Sequence, residues 1–305
     1  MKYNAVVIGL GSIGLGYNND NIILSHSQSI HKHKKFNLIA GVDLKKTNRE
    51  YFSKKFNKPA FRYLKDIRKF QVDLAIISCP EQQHLKIFLQ IIKYLNVRFI
   101  LIEKPSGNSY FETKKIFKIS KLKKINVLIN YQRNFDRNFN KIINILRNKK
   151  ITGFFWYSRG IKNNCSHFIN FLLRISKKSL NIKRIDLFDK KNFILYNDKI
   201  YINFVNTIDK KNILNECDIM TKNYRITSKD DFNTFYFYKK KKSTFFSNYY
   251  EYDLKKKIFE TNYKKIHFEV LNNIAKFLST KKSINFEKPN VETSRILDKI
   301  MNIFK

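Results

Sequence analysis

The sequence predicts a two-part α/β chain: a doubly wound parallel sheet, then an α+β domain with a large, mostly antiparallel open sheet. Three observations carry that prediction. An apolar run over residues 5–8 ends in glycines at 9, 11 and 14, the spacing G-x-G-x-x-G. Strand-like apolar runs then alternate with amphipathic helical stretches as far as Asn130, as in a parallel sheet joined by right-handed crossovers. Beyond Asn130 come short Tyr/Phe/Ile-rich stretches separated by Asn, Asp and Lys, which read as antiparallel strands with one wet face. The expected division is therefore 1–130 and 131–305.

Residues 2–8 form the first predicted strand. Gly9 permits the tight turn that follows it, Gly11 lets backbone approach a pyrophosphate, and Gly14 lets a helix pack closely on the strand. A helix is expected from Ser12, with Ile13 in its first turn and its positive end under the phosphates. Gly9, Gly11, Ser12, Ile13 and Gly14 are the first candidate cofactor contacts. Residues 17–21 are polar and turn-like. Residues 25–34 read as a helical piece whose His26, His31 and His33 form a basic surface; no carboxylate or cysteine accompanies them at metal-ligand spacing.

Residues 36–43 (FNLIAGVD) are the second strand. Its terminal Asp43 is placed to accept hydrogen bonds from an adenosine ribose and to disfavour a 2′-phosphate. Asp43 lies farther from Gly14 than the usual ~20 residues, because the extra helical piece intervenes. Lys45 and Lys46 follow and could accept a 2′-phosphate, so NAD is favoured with NADP left open. Helices are expected at 47–56 and 66–70. A strand at 72–78 breaks at Cys79-Pro80 into a helix carrying Leu85, Phe88, Leu89 and Ile92 on one face. A strand at 97–102 ends in Glu103-Lys104-Pro105, and a helix at 110–122 precedes a strand at 126–130. Ligands bind such sheets at the carboxyl ends of the strands. Gly9, Asp43, Ser78, Cys79, Pro80, His84, Glu103 and Lys104 all fall there.

In the second half a helix is expected over 135–148, an aromatic strand over 153–159, and a helix over 163–174 with Phe168, Phe171 and Leu172 on one face. Strand candidates include 200–205, 223–227, 233–238 and 243–250, with lysines 239–242 as a solvated hairpin tip. Helices at 264–278 and 291–304 close the chain.

The formal net charge is +37 over 305 residues, with 43% hydrophobic content. The lysines are scattered over almost every predicted element, as composition drift produces, which argues against a nucleic-acid surface. The field still helps draw in an anionic cofactor or sugar nucleotide. No apolar run approaches the ~20 residues of a membrane span. The short apolar run at the start leads into the glycine turn, unlike a signal peptide. Cys79, Cys165 and Cys217 are odd in number and far apart, which suits a reducing cytoplasm better than a disulfide framework.

Taken together, these residues resemble the glucose–fructose oxidoreductase/inositol dehydrogenase (Gfo/Idh/MocA) family. The likeness rests on the glycines with Asp43; on Ser78-Cys79-Pro80 with His84, similar to the family's Thr-Pro-x-x-x-His turn; on Glu103-Lys104-Pro105; and on Arg133-Asn-Phe135-Asp136 leading into the second domain. It implies a Rossmann domain that binds NAD or NADP and an enzyme acting on CH–OH groups of a sugar, cyclitol or nucleotide-linked sugar. By resemblance Lys104 and His167 are the catalytic pair, with Arg133, Tyr157, Asn163, Asn164 and His167 toward the substrate. The family often carries aspartates at the places of Asn163 and Asn170, and an amide cannot stabilise a protonated imidazole as a carboxylate does. A catalytically silent dinucleotide-binding sensor or assembly subunit is the alternative. Tyr157-Ser-Arg-Gly160 followed by Asn164-Cys-Ser-His167 is similar to a subgroup associated with bacterial surface-polysaccharide metabolism. The family likeness also implies a homodimer or homotetramer through the C-terminal sheet.

Overall fold

The computed structural model describes residues 2–16, 18–19, 22–187, 190–207, 214–280 and 286–305. The chain divides into two compact units, Met1–Phe135 with Tyr263–Ser294, and Asp136–Asn262 with Arg295–Lys305.

The first unit holds strands β1 (Tyr3–Ile8), β2 (Asn18–Asn19), β3 (Ile22–Ile23), β4 (Phe36–Val42), β5 (Ala60–Phe61), β6 (Leu74–Ile77), β7 (Phe99–Ile102) and β8 (Asn126–Ile129). Its helices are α1 (His26–Lys32), α2 (Lys46–Phe56), α3 (His84–Tyr94), α4 (Tyr110–Leu122) and, after the second unit, α7 (Ile266–Thr280). The main sheet is parallel in the order β5-β4-β1-β6-β7-β8. Its strands are continuous apolar runs because both faces are covered. Ala5, Val7, Leu74 and Ile76 point into one core with Ile30, Phe52 and Phe56 of α1 and α2. Val6, Ile8, Ala75 and Ile77 point into the other with Phe88, Ile91 and Ile116 of α3 and α4. The period of two along each strand thus feeds two layers of helix.

The expected single division at residue 130 differs from this arrangement. Val270, Leu271, Ile274 and Ala275 of α7 bury in the same core as α1 and α2, so residues 263–294 return to the first unit. The signal was an ordinary amphipathic helix, which does not say which sheet it covers. The expected helix from Ser12 is also corrected. Ser12–Gly16 is one wide turn closed by Leu15 N and Gly16 N donating to Gly11 O at 2.8 and 3.0 Å. Gly14 and Gly16 disfavour helix continuation by about 1 kcal/mol each, and the next α-helix starts only at His26. Within the predicted turn at 17–21, Asn18–Asn19 pairs antiparallel with Ile22–Ile23, while residues 17, 20 and 21 lie outside the described residues. The short helix expected at 66–70 is a single turn at Leu64–Ile67.

The second unit holds α5 (Arg137–Leu146), β9 (Ile151–Tyr157), α6 (Ser166–Ser176), β10 (Asn181–Leu187), β11 (Lys190–Tyr196), β12 (Ile200–Asn206), β13 (Asn215–Met220), β14 (Tyr224–Lys229), β15 (Thr234–Lys242) and β16 (Tyr250–Glu260). The end of α8 (Glu287–Ile303) completes it. Helix α5 starts where Asp136 Oδ1 accepts Phe139 N at 2.8 Å, an ordinary N-cap. The sheet order is β10-β11-β12-β9-β13-β14-β15-β16, antiparallel except for the parallel pair β12/β9. Along its strands Phe155, Ile202 and Ile219 are buried while Phe154, Tyr201 and Met220 face outward. The buried face packs on α5 and α6 in a core rich in phenylalanine, with Phe155 and Phe168 stacked at 4.2 Å.

The hairpin between the last two strands corrects the expected register. Lysines 239–242 lie within β15, and the turn falls at 243–249, in the stretch read as a strand. The aromatic run reads as a strand, yet Phe245 stands in the turn and is 84% exposed.

Because Phe168 is fully buried among Phe155, Phe171, Phe204 and Phe232, Phe168→Ala is expected to destabilise the second unit by about 3–5 kcal/mol. Urea unfolding followed by circular dichroism checks this.

Candidate active site

The carboxyl ends of β1, β4, β6 and β7 meet around the glycine turn. Gly9 has φ +93°, and a Cβ there would come within 2.5 Å of Cys79 N. A Cβ on Gly14 would lie 2.0 Å from Gly9 O. Both glycines are therefore demanded by backbone packing. Gly11 differs: no atom lies within 4 Å of where its Cβ would stand. The space over Gly11, beside exposed Ser12 and half-buried Ile13, is open, which leaves room for a pyrophosphate of NAD or NADP to approach the backbone.

Neighbouring strand ends are hydrogen-bonded to this turn. Gly9 N donates to Val42 O and Ser78 N to Ile8 O, both at 2.8 Å. The Ser78 hydroxyl donates to Gly9 O at 2.7 Å. His84 is buried and donates Nε2–H to Cys79 O at 2.8 Å, closing the Ser78-Cys79-Pro80 turn. Burial lowers the His84 pKa and raises that of Cys79 to about 11, so neither is charged near neutral pH. Ser78 and His84 hold this turn in place through these bonds.

Asp43 accepts Leu10 N and Lys45 N, each at 2.7 Å, and Asn48 Nδ2 at 3.3 Å. The carboxylate thus ties the end of β4 to the glycine turn. The Arg49 guanidinium sits on the carbonyls of Asp43 and Leu44 at 3.0 and 2.8 Å. With Lys45 and Lys46 adjoining, negative and positive groups share the rim where an adenosine ribose would lie.

Glu103 is the electrostatic centre of the site. Its Oε1 accepts His26 Nε2 at 2.7 Å and Asn130 Nδ2 at 2.6 Å; its Oε2 accepts Lys104 N at 3.2 Å. The His267 ring meets His26 edge-on at 4.6 Å. Burial works to raise the Glu103 pKa, but the hydrogen bond and charge of His26, aided by Asn130 and His267, outweigh it and hold the pKa at about 2. His267 is pushed down to about 3, chiefly by burial and further by His26. Lys104 follows directly, half-buried, with a cis bond to Pro105.

Sequence reasoning missed this cluster. His26 and His33 were expected on a basic helix surface, yet both are buried; His33 faces Asn272 at 3.1 Å and the rings of Phe36 and Phe268. Only His31 of the three is exposed. Glu103 and His267 lie 77 and 241 residues from His26, and Asn272 lies 239 from His33, so no local pattern marks them.

Of the residues expected toward the substrate, His167 is half-buried in the first turn of α6 and Asn163 is exposed in the turn before it. The others have structural positions. Tyr157 is fully buried, its hydroxyl donated to Lys191 O. Asn164 is buried with Oδ1 accepting Arg159 N at 2.9 Å, which holds the turn. Arg133 is buried, its guanidinium over the Tyr263 ring at 5.2 Å. Tyr157, Asn164 and Arg133 are thus each engaged within the protein.

A parallel doubly wound sheet with a glycine cradle at its carboxyl edge defines a dinucleotide-binding protein. Residues 3–131 match the model of the family described as "Oxidoreductase family, NAD-binding Rossmann fold". Over this first unit the chain is similar to the Gfo/Idh/MocA oxidoreductases, and it carries that family's NAD-binding Rossmann fold. The whole chain is similar in fold to a dehydrogenase (MviM) from Clostridium difficile, with TM-score 0.77 and 16% identity over 99% of this chain and 100% of that one. It is likewise similar to KijD10, a 3-ketoreductase from Actinomadura kijaniata, solved with TDP-benzene and NADP (TM-score 0.76, 10% identity, 99% and 98% coverage). A dehydrogenase from Chromobacterium violaceum shares the fold with TM-score 0.76 and 9% identity, covering 99% and 94%. No curated protein matches the chain by sequence.

Two predictions follow from this geometry. The fold accepts His267 only as the neutral ring, whereas an unfolded histidine binds a proton below its ordinary 6.5. Stability is therefore expected to fall as pH drops from 6.5 toward 3. Glu103 adds to the loss once pH falls below its ordinary 4.5 toward about 2. Denaturant unfolding across that range should show a shallower slope for His267→Leu; an unchanged slope would contradict the assignment. Asp43→Asn keeps an acceptor for Leu10 N but removes the charge, so NADH affinity should fall by about tenfold while NADPH affinity is spared, read by fluorescence titration.

Proposed function

We propose that this chain is an NAD(P)-dependent oxidoreductase that moves hydride between nicotinamide and an alcohol or ketone carbon of a sugar, cyclitol or nucleotide-linked sugar. One observation carries the reading. A lysine, Lys104, is presented at the carboxyl end of β7 by a carboxylate that three donors hold in place, in the sheet whose β1 end carries the glycine cradle. The neighbour KijD10, solved with TDP-benzene and NADP, supports a nucleotide-linked substrate. The surface-polysaccharide setting and a cytoplasmic location belong to the same proposal.

Gly9, Gly11, Ser12, Ile13 and Gly14 would hold the pyrophosphate, and Asp43 would receive the adenosine ribose. When bound, the nicotinamide accepts or donates the hydride. The Lys104 ammonium stabilises the negative charge that develops on the substrate oxygen as the C–H bond breaks, and polarises the carbonyl in the reverse direction. His167 takes the hydroxyl proton during oxidation and returns it during reduction, a task suited to an imidazole. Asn163, exposed in the turn before α6, orients substrate hydroxyls by hydrogen bonding.

A silent dinucleotide-binding subunit is the second reading. The specific observation behind it is that Asn163 and buried Asn170 flank His167 without a carboxylate. Turnover on a panel of sugars and nucleotide sugars separates the two. Lys104→Met should lower kcat by about a thousandfold or more while leaving NADH binding intact. His167→Gln should cost about 10²–10⁴-fold. Cofactor binding with no turnover by the wild type would favour the silent subunit. Full turnover by Lys104→Met would overturn the assigned role.

A further inference from the structure

Strands β15 and β16 continue beyond the edge of the packed sheet as a two-stranded ribbon. Up to Phe237 and from Phe259 alternate side chains are buried; between them Lys239, Lys240, Lys241 and Lys242 are all exposed, as are Lys255, Lys256 and Lys257. The ladder nevertheless persists, with Lys240 opposite Tyr252, Lys241 opposite Glu251 and Lys242 opposite Tyr250. Its tip is a defined turn: Phe245 N and Phe246 N donate to the Ser243 hydroxyl at 3.2 and 3.3 Å, and Ser243 N donates to Tyr249 O at 3.0 Å.

The chemistry of the ribbon is layered. Residues 243–250 (STFFSNYY) contain no charged side chain in a chain that is 28% charged. Phe245 is 84% and Phe246 66% exposed at the leading end, and Tyr249 and Tyr250 stand exposed just behind them. The lysines begin three residues back from Phe245. Seven lysines face only two carboxylates, Glu251 and Asp253, over residues 239–257. Exposed phenylalanine rings have no polar group to satisfy in water, and a turn serving only as a connection does not need them.

The geometry points to this hairpin as a peripheral anchor for an anionic lipid surface. Phenylalanine at the tip, with tyrosine and lysine together behind it, matches the order of acyl boundary first and interface with charged headgroup next. Each lysine near an anionic leaflet adds attraction that salt screens. A single-stranded nucleic acid would instead call for rings and cations interleaved over the whole groove; here only the tyrosines alternate with lysines, and Phe245 and Phe246 lead the ribbon ahead of every cation. No described helix is long and apolar enough to cross a membrane, so the contact is with the surface.

The test uses the full-length protein in sedimentation with vesicles of phosphatidylglycerol and phosphatidylcholine mixed equally, against phosphatidylcholine alone. Binding to the mixed vesicles only, weakening with salt, is expected. The double substitution Phe245→Ser with Phe246→Ser should lower that binding by about tenfold or more. Replacing Lys240, Lys242 and Lys255 with Gln should lower both binding and its salt dependence. NADH titration of the same variants, which touch no cofactor residue, should be unchanged and reports that the chain is folded. Phe245→Trp should show a blue shift in emission on adding mixed vesicles. Undiminished vesicle binding by the double phenylalanine variant overturns the proposal, as does equal binding to phosphatidylcholine alone. So does loss of single-stranded RNA binding, or a fall in mass by light scattering, in a protein that binds no vesicles; these assign the hairpin to nucleic acid or to a second copy.

Discussion

The approach of two backbones at Gly9 governs the first unit. The end of β1 comes so close to the Ser78–Cys79 link that a single methyl at Gly9 would fall 2.5 Å from a backbone nitrogen. Gly14 packs as closely on the Gly9 carbonyl. Because these contacts are backbone on backbone, nothing flexible can yield, and the turn is fixed before any ligand arrives. That rigidity leaves the space over Gly11 open as a preformed cradle. Preorganisation of this kind spares a ligand the entropy of ordering a loop.

The same edge of the sheet carries a second constraint, electrostatic in nature. A carboxylate in an apolar surrounding is tolerated only when it is hydrogen-bonded and compensated. Glu103 meets both conditions through His26, Asn130 and the amide of Lys104. These partners come from α1, the end of β8 and the next residue of the chain, so the carboxylate ties separate elements to the strand end bearing the lysine. His267 closes the cluster from α7. The return of the C-terminal segment to the first unit therefore serves this cluster as well as the core.

The parallel sheet was legible in the sequence because strands buried on both faces must be continuous apolar runs, and the runs ending at Ile8, Ile77 and Ile102 show it. The glycine turn was legible because its spacing reflects steric demands no other residue meets. Residues whose role depends on a distant partner were not legible. His26 reads as one more basic residue on a short helix until Glu103 is placed beside it. Tyr157 and Asn164 carry polar groups that suit a ligand, and only burial shows that Lys191 O and Arg159 N already use them. In the second unit, aromatic content signalled strands correctly at β9 and β12. It misled at residues 243–250, because composition alone does not distinguish a buried ring from an exposed one.

If the glycine turn receives the dinucleotide, Gly11 separates binding from folding. An added methyl there meets no protein atom within 4 Å. Titration of NADH and NADPH against Gly11→Ala, alongside its thermal unfolding, is the most direct measurement. An unchanged melting temperature and the loss of affinity for both cofactors are expected. Wild-type affinity in a stably folded Gly11→Ala would show that the dinucleotide does not bind over this turn.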